Sequence, residues 1–88
     1  MDKATKWRDI SFVVSSAYRN KVLRALENPK MPLKLSKELG INKTHISRAL
    51  YELESKKLIK CLTPEARKGK IYEITDYGKE VIEQVFKL

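Results

Sequence analysis

The chain is poor in the residues that build catalytic and metal centres. Cysteine and histidine occur once each, as Cys61 and His45. A single thiol forms no intramolecular disulfide. One Cys with one His cannot close a four-ligand structural zinc site. No nucleophile–base–acid set can be assembled around one histidine, and the three glycines form no phosphate-cradling motif. No enzymatic activity, cofactor or metal is therefore expected. Cys61 reads as a small buried apolar residue in a strand; redox sensing would need an intermolecular partner. Long apolar runs are also missing. Near the N-terminus the longest is Phe12-Val13-Val14, far below the ~20 residues of a membrane span and too short for a signal-peptide core. An intracellular, cytoplasmic protein with no membrane association is expected. Glutamine appears once, as Gln84, in a chain rich in Lys and Glu, a bias known from proteins of hot environments.

What is present is charge, mostly of one sign. The 88 residues carry 19 Lys and Arg against 11 Asp and Glu, a net charge of +8. With 34% charged and 42% hydrophobic residues, the composition fits one folded domain with a modest core and no room for a separate sensing domain. The excess positive charge points to a polyanionic partner.

Apolar spacing divides the chain. Residues 1–6 read as a mobile, flexible N-terminal arm, and 7–88 as the domain. Trp7 to Ser15 is ambiguous: Asp9 is able to cap a short helix carrying Ile10, Val13 and Val14, but the β-branched content suits a strand equally. Ser16 is a good N-cap for a helix over about 16–27, with Val22, Leu23 and Leu26 at helical spacing and Tyr18 one turn earlier. Asn28-Pro29 stops it. Pro32 suits the first turn of the next helix, which carries Leu35 and Leu39 and ends at Gly40. Ile41 plugs the turn. Asn42 then caps a helix with Ile46, Leu50 and Leu53 on one face and Ala49 beside them, running to about Lys57. Two helices joined by a tight glycine-containing turn form a helix-turn-helix. Beyond it the period changes. Leu58–Thr63 and Lys70–Thr75 read as strands around a polar loop, Pro64 to Gly69, and make a β-hairpin. Thr75 caps a final helix over 76–88, where Val81, Val85 and Leu88 form one apolar row and Ile82 and Phe86 another.

Two blocks of residues carry a family likeness. The first is Leu35-Ser36-Lys37-Glu38-Leu39-Gly40-Ile41-Asn42, followed by Ile46-Ser47-Arg48-Ala49-Leu50, Leu53-Glu54 and Leu58-Ile59. The second is Arg67-Lys68-Gly69-Lys70-Ile71-Tyr72-Glu73-Ile74-Thr75-Asp76-Tyr77-Gly78. Together they resemble winged-helix DNA-binding regulators of the arsenical-resistance (ArsR) and multidrug-resistance (MarR) types, and most of all small archaeal regulators. The resemblance spans about residues 16–80. It implies an α+β, mostly α winged helix-turn-helix: a three-helix core, a two-stranded hairpin wing and a C-terminal helix. The implied activity is sequence-specific binding of double-stranded DNA by a transcriptional regulator, as a homodimer. The sequence departs from the arsenical type in lacking a metal-sensing cysteine pair or histidine cluster. It departs from the multidrug type in lacking the extra flanking helices that build an effector pocket, so no small-molecule effector is implied.

The candidate interface follows from the buried face of the third helix. With Ile46, Leu50 and Leu53 inward, the first turn (Asn42, Lys43, Thr44, His45) and then Ser47, Arg48 and Tyr51 fall outside. Ser47 and Thr44 suit bases or phosphates, and Arg48 reaches a guanine edge or a phosphate. The plainer alternative is a solvated polar face. Between Lys56 and Lys70 lie six cations and one anion, Glu65. Arg67, Lys68 and Lys70 at the wing are placed to meet phosphates or the minor groove; the alternative is a solubilising loop. His45 lacks partner ligands and reads as a surface polar contact. The last helix is either ordinary core or, with Trp7, Phe12, Phe86 and Leu88, partly a dimer seam. Rival functions are a winged-helix protein-interaction module in a larger assembly and non-specific chromatin or nucleic-acid binding.

Overall fold

Capping side chains start three of the helices in the computed structural model, which describes residues 3–87. The elements run α1 (Lys3–Val14), α2 (Ala17–Ala25), α3 (Pro32–Leu39), α4 (Lys43–Ser55), β1 (Ile59–Cys61), β2 (Tyr72–Ile74) and α5 (Asp76–Phe86). Ser16 Oγ accepts the Arg19 N–H at the start of α2, at 3.3 Å. Asn42 Oδ1 accepts the Thr44 N–H, at 2.8 Å, and Thr75 Oγ1 the Gly78 N–H, at 2.9 Å. Each bond satisfies an amide that the helix itself leaves without a partner. Pro32 opens α3, and Gly40 closes it in the left-handed conformation, φ 64°. Lys57 also takes a left-handed φ of 61°, and α4 stops two residues before it, at Ser55.

The segment from Trp7 to Ser15, ambiguous in sequence, is helical as far as Val14, and the helix reaches back to Lys3. Lys3 to Lys6, expected in a mobile arm, form its first turn; residues 1 and 2 lie outside the described ones. The reason is tertiary. Ile10 and Val13 are buried in the core. Asp9 caps nothing; it is buried within α1 and accepts the hydroxyl of Tyr77 on α5. Burial, and then the bond to Asp9, push the Tyr77 hydroxyl well above its usual range, so it stays a donor well into alkaline pH. The chain thus has a flanking N-terminal helix, contrary to the expectation that the extra helices are absent.

Helices α2, α3 and α4 with the hairpin and α5 form the expected winged helix-turn-helix, with α1 packed on α2 and α5. Leu23, Leu26, Leu35, Ile46, Leu53, Leu58 and Val81 are fully buried at its centre. Tyr18, placed by spacing in the apolar row of α2, is instead 42% exposed. Arg19 joins three helices: its guanidinium pairs with Glu52 at 2.6 Å, donates to the Phe12 carbonyl at 3.0 Å and lies 3.9 Å from the centre of the Phe12 ring.

The strands are antiparallel, with Ile59 opposite Ile74 and Cys61 opposite Tyr72, and are shorter than their apolar runs. Cys61 is half-buried. Lys30 extends the sheet by one bridge, exchanging backbone hydrogen bonds with Tyr72 at 3.0 and 2.9 Å. The hairpin base is thereby tied to the residues leading into α3.

Gly78 marks the closest approach. A methyl group there would lie 2.1 Å from the Leu58 carbonyl oxygen. Alanine gains about 1 kcal/mol over glycine within a helix, but forcing a carbon into packed backbone costs about 1–3 kcal/mol. Gly78→Ala is expected to lower the urea midpoint and the melting temperature; an unchanged or higher midpoint would refute this packing.

Candidate nucleic-acid interface

Burial of Ile46, Ala49, Leu50 and Leu53 turns the rest of α4 outward. Asn42, Lys43, Thr44, His45, Ser47 and Arg48 are all exposed, and Tyr51 is 75% exposed. The side-chain oxygen of Asn42 is committed to its cap. Arg67, Lys68 and Lys70 are exposed in the loop between the strands. That loop is held at its base: Leu62 N–H donates to the Ile71 carbonyl at 2.7 Å, and Ile71 N–H to Thr63 Oγ1 at 3.0 Å. Gly69 turns it at φ 73°.

The loop and α4 face a common groove. Lys43 and Ser47, one turn apart on α4, line one wall, and Arg67, Lys68 and Lys70 another. Met31, Pro32, Leu33 and Tyr72 complete it, enclosing about 570 Å³. A second cleft, about 330 Å³, lies between α4 and α2 and holds His45 and Arg48 with Tyr18, Arg19 and Glu52. Thr44 and Tyr51 line neither. Among the described residues the ion pairs engage Lys6, Arg19, Lys30 and Lys34. Lys43, Arg48, Arg67, Lys68 and Lys70 form none, so their charge is available to an external anion.

The cations around the hairpin do not all converge. Lys56 and Lys57 line a separate hollow with Arg8 and Asp9, and Lys56 Nζ lies 5.5 Å from the centre of the Phe12 ring. Four lining residues of the wing groove (Met31, Pro32, Leu33 and Tyr72) were not among the candidate interface residues in sequence, and neither was Tyr18. They lie outside α4 and the cationic loop tip, so helical spacing gives no sign of them. Along α5, Val81, Ile82 and Val85 are buried in the chain's own core. Phe12 is half-buried and covered by Arg19, whereas Trp7 is 56% and Phe86 59% exposed. Leu88 lies outside the described residues.

A sequence model described as the HVO_A0261 N-terminal domain matches residues 7–88. The chain belongs to the HVO_A0261 N-terminal domain family. No curated protein shows significant similarity to this family member. Solved structures that resemble it include winged-helix regulators of the MarR type. A mutant MarR from E. coli is 26% identical over 93% of this chain and 65% of MarR, with a TM-score of 0.75. The mutant complexed with operator DNA is 27% identical over 94% of this chain and 64% of its own, with a TM-score of 0.73. A transcriptional regulator from Thermotoga maritima is 27% identical over 89% of this chain and 60% of its own, with a TM-score of 0.70. The chain thus spans 60–65% of the length of these relatives.

Replacing Arg67, Lys68 and Lys70 together by alanine is expected to reduce retention on immobilised heparin more than replacing Arg8, Lys56 and Lys57. Both variants lose three positive charges. Equal retention would show that the wing groove has no special attraction for polyanions.

Proposed function

We propose that this member of the HVO_A0261 N-terminal domain family binds double-stranded DNA sequence-specifically and acts as a transcriptional regulator, as a cytoplasmic homodimer. The observation that carries this is the groove shared by the first turns of α4 and the cationic wing, with Lys43 and Ser47 across from Arg67, Lys68 and Lys70. A duplex offers base edges in its major groove and phosphates along its ridges. The exposed side of the first two turns of α4 suits the groove: Thr44 and Ser47 carry hydroxyls that pair with base edges, and Lys43 and His45 add donors. Arg67, Lys68 and Lys70, free of ion pairs, suit the phosphates beside it. Tyr51 extends the outward face by one further turn. A structure 27% identical is complexed with operator DNA, which supports the same partner here. The likeness to arsenical-resistance and archaeal regulators rests on the motif residues alone.

Residues 76–88 serve as the dimerisation element in this proposal, with 7–88 as the functional unit. Exposed Phe86 on α5 and Trp7 on α1 supply its apolar contacts. A two-fold dimer would present two α4 helices to half-sites about one helical turn apart.

Selection of bound sequences from a random duplex pool tests the proposal. The expected result is a two-fold symmetric site bound about 10³-fold or more above random duplex. Affinity should fall by about 0.9 log units per log of salt for each phosphate contact. Absence of duplex binding at low salt defeats the proposal, and equal affinity for selected and random duplexes defeats base reading. Trp7→Lys together with Phe86→Lys is expected to yield monomers in sedimentation equilibrium; a variant dimer as tight as wild type rules out this seam.

A further inference from the structure

We infer that the cleft between α2 and α4 seats a backbone phosphate of the bound duplex, on the side of α4 away from the wing groove, with Arg48 as its cation and Tyr18 and His45 as its neutral wall. The inference rests on the duplex-binding proposal and adds a contact site to it.

Two stripes of α4 lead into two clefts. Lys43 and Ser47 line the wing groove. His45, Arg48 and Glu52, spaced by three and four residues, line the cleft against α2. A helix is about 10–12 Å across with its side chains, and the major groove is about 12 Å wide. A helix seated there therefore lies against both phosphate ridges. The wing meets one ridge. The other ridge faces whatever flanks α4 on its second side, and that is Tyr18, His45 and Arg48.

The chemistry of the cleft suits a phosphodiester. Glu52 is the acidic residue in it, and its carboxylate is matched by Arg19 at 2.6 Å. Among the described residues Arg48 has no ion-pair partner, so it is open to an external anion. Its planar fork can donate two parallel hydrogen bonds to one phosphate. The Tyr18 and His45 rings are stacked, with centres 4.7 Å apart and planes 24° from parallel. Stacking limits the imidazole's rotation before any ligand arrives, which lowers the ordering cost of binding. The Tyr18 hydroxyl and the imidazole each add a potential donor beside Arg48.

Phosphate ethylation interference on a selected duplex reads the site directly. Wild type should be blocked by ethylation on both ridges. Arg48→Ala should become insensitive on one ridge and Lys68→Ala on the other. Arg48→Ala should also weaken selected and random duplexes alike, by about tenfold, and flatten the salt dependence by about 0.9. Tyr18→Phe keeps the ring and removes a neutral donor, so it should lose affinity without changing the salt slope. A changed base preference in Arg48→Ala overturns the inference, because it makes Arg48 a base reader. So does a wild-type salt slope in Arg48→Ala, or loss of sensitivity at the same phosphates in Arg48→Ala and Lys68→Ala. Each of these outcomes leaves duplex binding by the wild-type chain intact. Only a wild-type chain that binds no duplex removes the underlying proposal as well.

Discussion

Helix α4 can lie only one way against the body, and the rest of the molecule depends on it. Ile46, Ala49, Leu50 and Leu53 are buried almost completely. Each large side chain among them contributes about 1.5–3 kcal/mol when taken from water. Turning α4 by a single residue position would expose part of that stripe and push Arg48 or Ser47 inward, where an unpaired charge or hydroxyl is costly. The polar side is therefore held outward by what the apolar side buries. No bond at the outward residues is needed to aim them, apart from the Asn42 cap that starts the helix.

The surroundings of α4 turn this outward side into two clefts. The hairpin starts within a few residues of its C-terminal end, and the return strand is bound to Lys30 just before α3. That bridge brings the loop carrying Arg67, Lys68 and Lys70 over the start of α3 and the first turns of α4. On the other side, Arg19 pins α2 to α4 through Glu52 and to α1 through Phe12, which holds Tyr18 beside His45. The two ion-paired residues are structural, and the unpaired cations next to them remain free. A charge count along the sequence cannot make that distinction. It treats Lys56 and Lys57 like Lys68, although they lie in a different hollow.

Much of the fold was legible because local chemistry and final structure agree. Ser16, Pro32, Gly40, Asn42 and Thr75 occupy the helix ends that their capping or backbone preferences dictate. The stripe on α4 has a clear helical period, so its exposed residues could be read by subtraction. Helix α1 was harder. Its inward positions include the charged Asp9, its outward ones include Trp7 and Val14, and so the apolar pattern has no clean period. Asp9 looks like a cap in sequence because its partner, Tyr77, lies far along the chain.

Local preference, then, determined the helix-turn-helix, the existence of the hairpin and the candidate residues on α4 and the wing. Caps, turns and apolar periods act over a few residues and are written in consecutive positions. Tertiary structure decided that Lys3 to Lys6 are helical, that Tyr18 faces His45, and that three of the hairpin's cations share a groove with α4 while others do not. Those outcomes depend on contacts between residues distant in sequence, whose energies are settled only when the helices pack together.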